Sequence, residues 1–323
     1  MKSTIERMPS EALLNRCAEA WGLKNLTFVR KMENIVFSGE SPEGKVFLRL
    51  TTLLRRSRAE IESEAAWIEH LYKSGLHVPK MIPNKAGDKV VAFTEGDQRY
   101  EVVVFSAIEG EHPSEETVTR ASYLKKLGAL IAKMHLATES YSHPSLKREE
   151  WYEERGIRHA LEASLHSHES ELREKLYKVV AHLKSLPRTP KTYGLIHADL
   201  GALNLFIGED DSIGVIDFDD SCYHWFVFDL AIVVYSMTSR FKHTHIDPKE
   251  AEWLKTLLEG YQTVRPLSQE EIALIPTLME FACLRLYFWI NHHEMLGTFH
   301  ETAQDKIAQI KQWAKDRLVA LSK

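Results

Sequence analysis

The chain has 323 residues, 44% of them apolar and 27% charged, with a formal net charge of −5. That composition excludes extended disorder, and without a Lys/Arg-rich block it argues against nucleic-acid binding by counter-ion release. The length suits one large domain or two moderate ones.

In chain order, Ser10 precedes EALLNRCAEAWGL, a capped helix with Leu13, Leu14, Cys17 and Trp21 on one face. The opening MKSTIERMPSEALL places charge where a signal peptide needs an apolar stretch. Strand-like pieces LTFVRKM, NIVFSGE and KVFLRLT follow, the last two joined by SPEG with the turn chemistry of a hairpin. Ser57, three residues before Glu60, forms a capping box for AEIESEAAWIEHLYKSG, which Gly75 closes. The segments VPKMIPNKAGDKVVAF and QRYEVVVFSAI supply further strands.

From SYLKKLGALIAKMHLAT the period becomes helical, and residues 151–185 read as two charged helices. Short apolar strands LIHADL, LNLFIG and IGVIDF interrupt this pattern. Helices resume with FVFDLAIVVYSM, AEWLKTLLEGY, EEIALIPTLMEFACLRLYFWINHHEM and the charged tail. No apolar run approaches the roughly 20 residues that span a bilayer. Cys17, Cys222 and Cys283 are widely spaced with no C-x-x-C pair, against a disulfide framework or a thiolate metal site. The expectation is a cytoplasmic protein without a membrane or nucleic-acid partner, and its oligomeric state has no signal in the sequence.

The chemistry concentrates at residues 194–220, GLIHADLGALNLFIGEDDSIGVIDFDD. His197, Asp199 and Asn204 form H-x-D-x-x-x-x-N on a loop between two apolar segments. An ionised Asp beside a substrate hydroxyl orients it and takes its proton, and an Asn amide oxygen is a ligand for a divalent cation. Asp217, thirteen residues beyond Asn204, projects a second hard oxygen from a strand end. Oxygen-only ligation with few carboxylates suits Mg²⁺ held together with substrate phosphates. His197, Asp199 and Asn204 alone also fit ordinary turn chemistry; the added strand-borne Asp217 favours phosphoryl transfer.

On these motifs the chain resembles the kinase-like phosphotransferases that include aminoglycoside phosphotransferases, choline kinases and type II homoserine kinases. Their H-G-D-x-x-x-x-N loop corresponds to His197-Ala198-Asp199 through Asn204, and their I-D-F/W run to Ile216-Asp217-Phe218-Asp219-Asp220. The stretch YHWFVFDL places Asp229 where the family has an Asp that braces the catalytic loop. The resemblance covers most of the chain and is weakest at 140–190 and the tail.

It implies an α+β, bilobal protein-kinase-like fold, with a β-rich nucleotide-binding lobe over 1–105 and a helical lobe over 106–323. It implies ATP and Mg²⁺ as cofactors, Asp199 as catalytic base, Asn204 and Asp217 as metal ligands, and His197 as a loop brace. Arg49, on VFLRLT, takes the place of the usual phosphate-binding Lys, and Glu64 is its partner. That pair also reads as a plain ion pair.

The loop KMEN has no glycine, so Met32, Glu33 and Asn34 stand where backbone N–H groups usually cover phosphate, and Asn34 also suits a structural turn. Ser106 and Ala107, with Ile108, Glu109 and Gly110, form a connector suited to a purine edge. Asp219 is a candidate for metal or a cationic acceptor, whereas Asp220 reads as a cap. For the acceptor, the candidates are Tyr223, Trp225, Arg285, Tyr287, Trp289 and His292, with Trp151, Tyr152 and Arg155 in the insertion; helical spacing also fits core packing for these aromatics. His135 reads as a packed helix residue. The expected partner is a small-molecule hydroxyl acceptor: an amino alcohol or a homoserine-like or aminoglycoside-like compound. A protein Ser/Thr kinase and a nucleotide-binding pseudokinase are the alternatives, the first opposed by the missing A-P-E segment after Asp217.

Overall fold

The computed structural model describes residues 7–143, 147–162, 169–238, 247–297 and 304–321. The chain divides into two compact units, each built from several segments. The first comprises Met1–Gly110, Tyr141–Arg148 and Gly214–Asp219; the second comprises Glu111–Ser140, Glu149–Ile213 and Asp220–Lys323.

In the first unit, helix α1 (Glu11–Trp21) starts at Ser10, whose side chain accepts the Leu13 N–H, and ends at Gly22 in the left-handed region. An antiparallel five-stranded sheet follows, made of β1 (Lys24–Lys31), β2 (Ile35–Ser41), β3 (Gly44–Thr52), β4 (Val91–Glu95) and β5 (Gln98–Ser106) in the order β1-β2-β3-β5-β4. Strand alternation divides the work of β3. Val46, Leu48 and Leu50 enter the core with Leu13, Cys17 and Trp21 of α1 and with Phe37, Val102 and Val104. Arg49 and Thr51 therefore emerge on the opposite face, where α2 (Arg58–Lys73) lies behind its Ser57–Glu60 capping box. Of residues 78–93, expected as strand, only the end is paired as one, in β4; before it there is a lone bridge from Met81 to Phe105.

The second unit is mostly helical: α3 (Glu115–Val118), α4 (Ala121–Glu139), α5 (Arg155–Glu162), α6 (Ser170–Ser185), α7 (Val227–Met237), α8 (Glu250–Gln262), α9 (Gln269–Leu296) and α10 (Gln304–Ala320). The two expected helices of 151–185 are α5 and α6. Of the three short apolar strands, β6 (Tyr193–Ile196) and β7 (Leu205–Ile207) belong to this unit, and β8 (Ile213–Val215) has its last two residues in the first. A strand absent from the sequence reading, β9 (Cys222–Trp225), pairs antiparallel with β6, setting Leu195 opposite Tyr223 and Tyr193 opposite Trp225. Helix α9 is also more apolar than expected, long and apolar enough to cross a membrane by length and composition. It packs against α5, α6, α7 and α10, and ten of its side chains from Ile275 to Ile290 are buried, as in a central core helix.

The packing of α4 on α8 rests on two glycines. A Cβ on Gly128 would lie 2.1 Å from the Leu257 carbonyl oxygen, and one on Gly260 would lie 2.1 Å from the Lys125 carbonyl oxygen. Both obstacles are backbone, so neither can rotate away. In an exposed helix Gly→Ala is favourable by about 1 kcal/mol, but overpacking here costs about 1–3 kcal/mol and should win. Gly128→Ala is expected to lower the thermal midpoint by several degrees, at about 2–4 °C per kcal/mol in a unit of this size; an unchanged or raised midpoint in a calorimetric melt would show that the helices separate without cost.

Candidate active site

The first unit carries a buried ion pair on the α2 face of the sheet. Arg49 Nη1 and Nη2 donate to Glu64 Oε1 and Oε2 at 2.8 and 2.7 Å, with Arg49 6% and Glu64 1% exposed. Burial opposes the guanidinium charge, but Glu64, then Asp219 and Asp217, hold its pKa above the ordinary arginine value. The fork is thus fully charged and fixed, and its Nε–H is buried without a partner among the described residues. A cation immobilised with an unspent donor fits phosphate oxygens.

Around Asp219 the same unit gathers arginines. Arg55 Nε and Nη2 lie 3.2 and 3.0 Å from Asp219 Oδ2, Arg56 Nε lies 3.7 Å from Oδ1, and the Asp219 carbonyl accepts from Arg56 Nη2 (2.9 Å) and from Arg148 Nη2. Burial raises the Asp219 carboxyl pKa, but Arg55, Arg56, Arg49 and Arg148 outweigh it and hold it far below the carboxylate range. Asp219 is therefore ionised and buried among arginines. Asn34 joins this network, donating to Asp219 Oδ2 (3.1 Å) and accepting from Thr51 Oγ1 (2.7 Å), while Glu33 pairs with Arg55 at 2.6 Å. The glycine-free loop 32–34 is thus held by side chains, and exposed Met32 is its tip.

Phe218, between the two acids, packs edge-on against Trp67 of α2 at 5.4 Å. Asp217 sits at a left-handed φ of 64°, partly exposed, with Oδ2 2.7 Å from Arg30 Nη2. In the connector, the Ser106 N–H donates to the Lys80 carbonyl (2.9 Å) and the Ala107 N–H to the Lys45 carbonyl (3.0 Å), and Ser106 Oγ accepts from the Lys80 N–H. Both N–H groups are spent; what remains for a purine edge is their carbonyls and the backbone of Ile108 onward.

In the second unit, the catalytic-loop candidates sit on a buried brace. Asp229, on α7 and 0% exposed, accepts the Ala198 N–H (2.8 Å), the His197 N–H (3.2 Å) and His135 Nε2 (3.2 Å). Burial lowers the His135 pKa more than Asp229 raises it, so the imidazole is neutral: Nε2–H donates to Asp229 and Nδ1 accepts from Tyr261 Oη at 2.8 Å. The Asp199 N–H donates to His197 Nδ1 at 3.2 Å. His197 and Asp229 are thus supports for the backbone that carries half-buried Asp199.

Asn204, on a 3₁₀ turn (Ala202–Asn204), donates its amide nitrogen to both the Asp199 carbonyl and Asp199 Oδ2 at 2.8 Å. With the nitrogen so fixed, Oδ1 is left as an acceptor, the hard oxygen donor type that Mg²⁺ or Ca²⁺ takes.

Arg285 of α9 also reaches this loop. Its Nη1 donates to the Ala198 carbonyl (3.0 Å), its Nη2 to Asp220 Oδ2 (3.1 Å) and its Nε to Glu154. Burial opposes its charge, but Glu154, Asp220 and Asp199 keep its pKa well above the ordinary arginine value. Asp220, read from sequence as a cap, is an Arg285 acceptor here. Of the aromatic candidates, Trp225 is 3% exposed with Tyr193 edge-on at 4.9 Å, Tyr287 donates to Glu169 (2.9 Å), and the Trp289 ring lies tilted against His293 (4.4 Å). Trp151 is buried against His224, Trp225 and Phe281; Tyr152 and His292 are partly buried, and Arg155 is exposed.

Sequence reasoning missed Arg30, Arg55, Arg56, Arg148 and Glu154. The run LLRRSR before the capping box was the one visible sign of the arginine group, and it reads like a solvated charge run.

The sequence profile of the phosphotransferase enzyme family matches residues 26–269. The chain belongs to this family. It is similar to an amicoumacin kinase of Bacillus subtilis (strain 168), 26% identical over 310 residues covering 94% of this chain and 91% of that protein. It is 31% identical to a homoserine kinase of Rhizobium etli over 236 residues, 69% of this chain and 68% of that protein. A solved amicoumacin kinase in complex with AMP-PNP, Ca²⁺ and Ami superposes with a TM-score of 0.83 at 25% identity, covering 96% of this chain and 94% of that one. A microcompartment-associated aminopropanol kinase shares the fold at a TM-score of 0.77 and 23% identity, covering 97% of each chain. The protein is thus a kinase-fold phosphotransferase.

One departure from the family loop acquires a physical meaning here. Ala198 stands where the family has glycine, and its φ is 64°, in the left-handed region that costs a Cβ-bearing residue about 1–2 kcal/mol. Ala198→Gly should leave the thermal midpoint unchanged or raise it slightly, because relieved strain offsets the greater freedom of the unfolded chain. Ala198→Val should lower it clearly. A fall with glycine larger than that with valine would contradict the strain.

Proposed function

We propose that this protein transfers the γ-phosphoryl group of Mg·ATP to a hydroxyl of a small, amine-bearing molecule. The observation that carries the reading is the Asp199–Asn204 pair, in which one amide nitrogen bonds twice to Asp199 and leaves its own oxygen for a cation. Asp199, aimed by His197 and Asp229 through its backbone, orients the acceptor hydroxyl and takes its proton. Arg49, fixed by Glu64, donates to the phosphates of the nucleotide. Asn204 Oδ1 and an Asp217 carboxylate oxygen are the metal ligands. The cation, when bound, neutralises charge developing on the phosphate oxygens. The rate comes from positioning and charge neutralisation rather than covalent chemistry.

The amine follows from charge. In the second unit Glu154 and Asp220 lie beside Arg285, Asp199 adds to the acidic side, and Tyr223 is partly buried. Carboxylates beside aromatic surface suit an ammonium group. The names of the relatives point the same way, since aminopropanol and homoserine are both amino alcohols. A protein acceptor fits less well: β9 leads from Asp220 into α7 at Val227, leaving no length for an activation segment.

A coupled assay of nucleotide consumption across amino alcohols, homoserine, aminoglycosides and a generic protein substrate tests the acceptor class. Asp199→Ala should reduce turnover at least about a hundredfold, the usual scale for losing a general base, with Mg·ATP affinity nearly unchanged. Asp217→Ala should weaken nucleotide binding as well. Near-normal turnover in Asp199→Ala would overturn the assignment.

A further inference from the structure

Arg30 is the residue that the proposed machinery does not use. Strand β1 pairs Phe28 with Phe37, and regular pairing would then set Val29 against Val36; instead Arg30 pairs with Val36. One residue is inserted, which makes a β-bulge at Val29, a device that re-aims side chains beside functional sites. Without it Arg30 would share the α1-facing side with Phe37. With it, Arg30 falls in the cross-strand row Arg30–Val36–Arg49–Val103, on the face that carries the Arg49 guanidinium. The Arg30 side chain is 52% exposed, and its Nη2 lies 2.7 Å from Asp217 Oδ2.

We infer that Arg30 is a second phosphate-binding cation, parked on Asp217 until the nucleotide arrives. The inference rests on Asp217 being a metal ligand. Once Asp217 is engaged as a ligand, Arg30 no longer has that carboxylate to itself, and its guanidinium turns to the phosphate oxygens. The bulge places it one strand beyond Val36 from Arg49, at the end of the strand that leads into loop 32–34. That loop lacks the glycines through which backbone N–H groups usually approach phosphate, and its Asn34 and Glu33 are committed to Asp219, Thr51 and Arg55. Side-chain guanidinium thus takes the place of a backbone cradle.

Isothermal titration of the full chain with Mg·AMP-PNP, comparing wild type, Arg30→Ala and Arg30→Lys, decides the matter without turnover. Loss of a charge-assisted contact should weaken binding roughly tenfold or more in Arg30→Ala, with part of the loss recovered in Arg30→Lys. A side chain that merely blocks Asp217 gives the opposite sign, so unchanged or tighter binding in Arg30→Ala would overturn the inference while leaving the phosphotransferase reading intact. Failure of the wild type to bind Mg·AMP-PNP would overturn both. Matching thermal midpoints of the three proteins show that a loss of binding is not a loss of fold, and the exposure of Arg30 makes that the expected result.

Discussion

A carboxylate with no exposed surface organises the loop on which the chemistry of the second unit depends. Asp229 accepts two consecutive backbone N–H groups and an imidazole N–H, so its charge is matched by three donors in a water-poor setting. Such an acceptor is costly to bury alone and strong when satisfied. Its two backbone bonds hold Ala198 in the left-handed region and direct the Asp199 side chain. Arg285 holds the next peptide unit through the Ala198 carbonyl. A residue bearing a Cβ can sit at this strained position because both sides of its backbone are held.

The first unit solves a related problem with opposite charges. Asp219 is ionised among arginines, and its carbonyl, as well as its carboxylate, is gripped. The segment 217–219 is thereby fixed to α2 and to loop 32–34, leaving Asp217 as the more exposed acid of the pair. In both units the buried acids serve as anchors, and the half-buried ones beside them are aimed by the anchors. The buried acids are thus matched one by one, Asp219 by arginines and Asp229 by N–H donors.

The parts of this arrangement that were legible in the sequence are local ones. Arg49 and Glu64 could be placed because strand alternation fixes the face of Arg49 and the Ser57 capping box fixes the start of α2. Asp199 and Asn204 lie five residues apart on one loop, so their spacing carried the chemistry. Arg30 was hidden because a bulge at Val29 leaves no compositional trace, and without the bulge the residue would face the other way. The spent N–H groups of Ser106 and Ala107 depend on Lys80 and Lys45, distant in sequence. Strand β9 was lost because Tyr223 and Trp225 read as site aromatics rather than as partners of β6. Arg148 fell in the stretch where the resemblance is weakest.

The discontinuity of the first unit has a temporal side. Its sheet and α2 are complete in sequence by residue 110, but Arg148 and Asp219, which balance and lock its buried charges, come much later. During synthesis, Arg55 and Arg56 leave the ribosome long before the acid they will hold. The amino-terminal segment must therefore wait, incompletely neutralised, while over a hundred further residues are made. Order of translation and order of consolidation differ in this chain, and its first unit cannot be locked until residue 219 has been made.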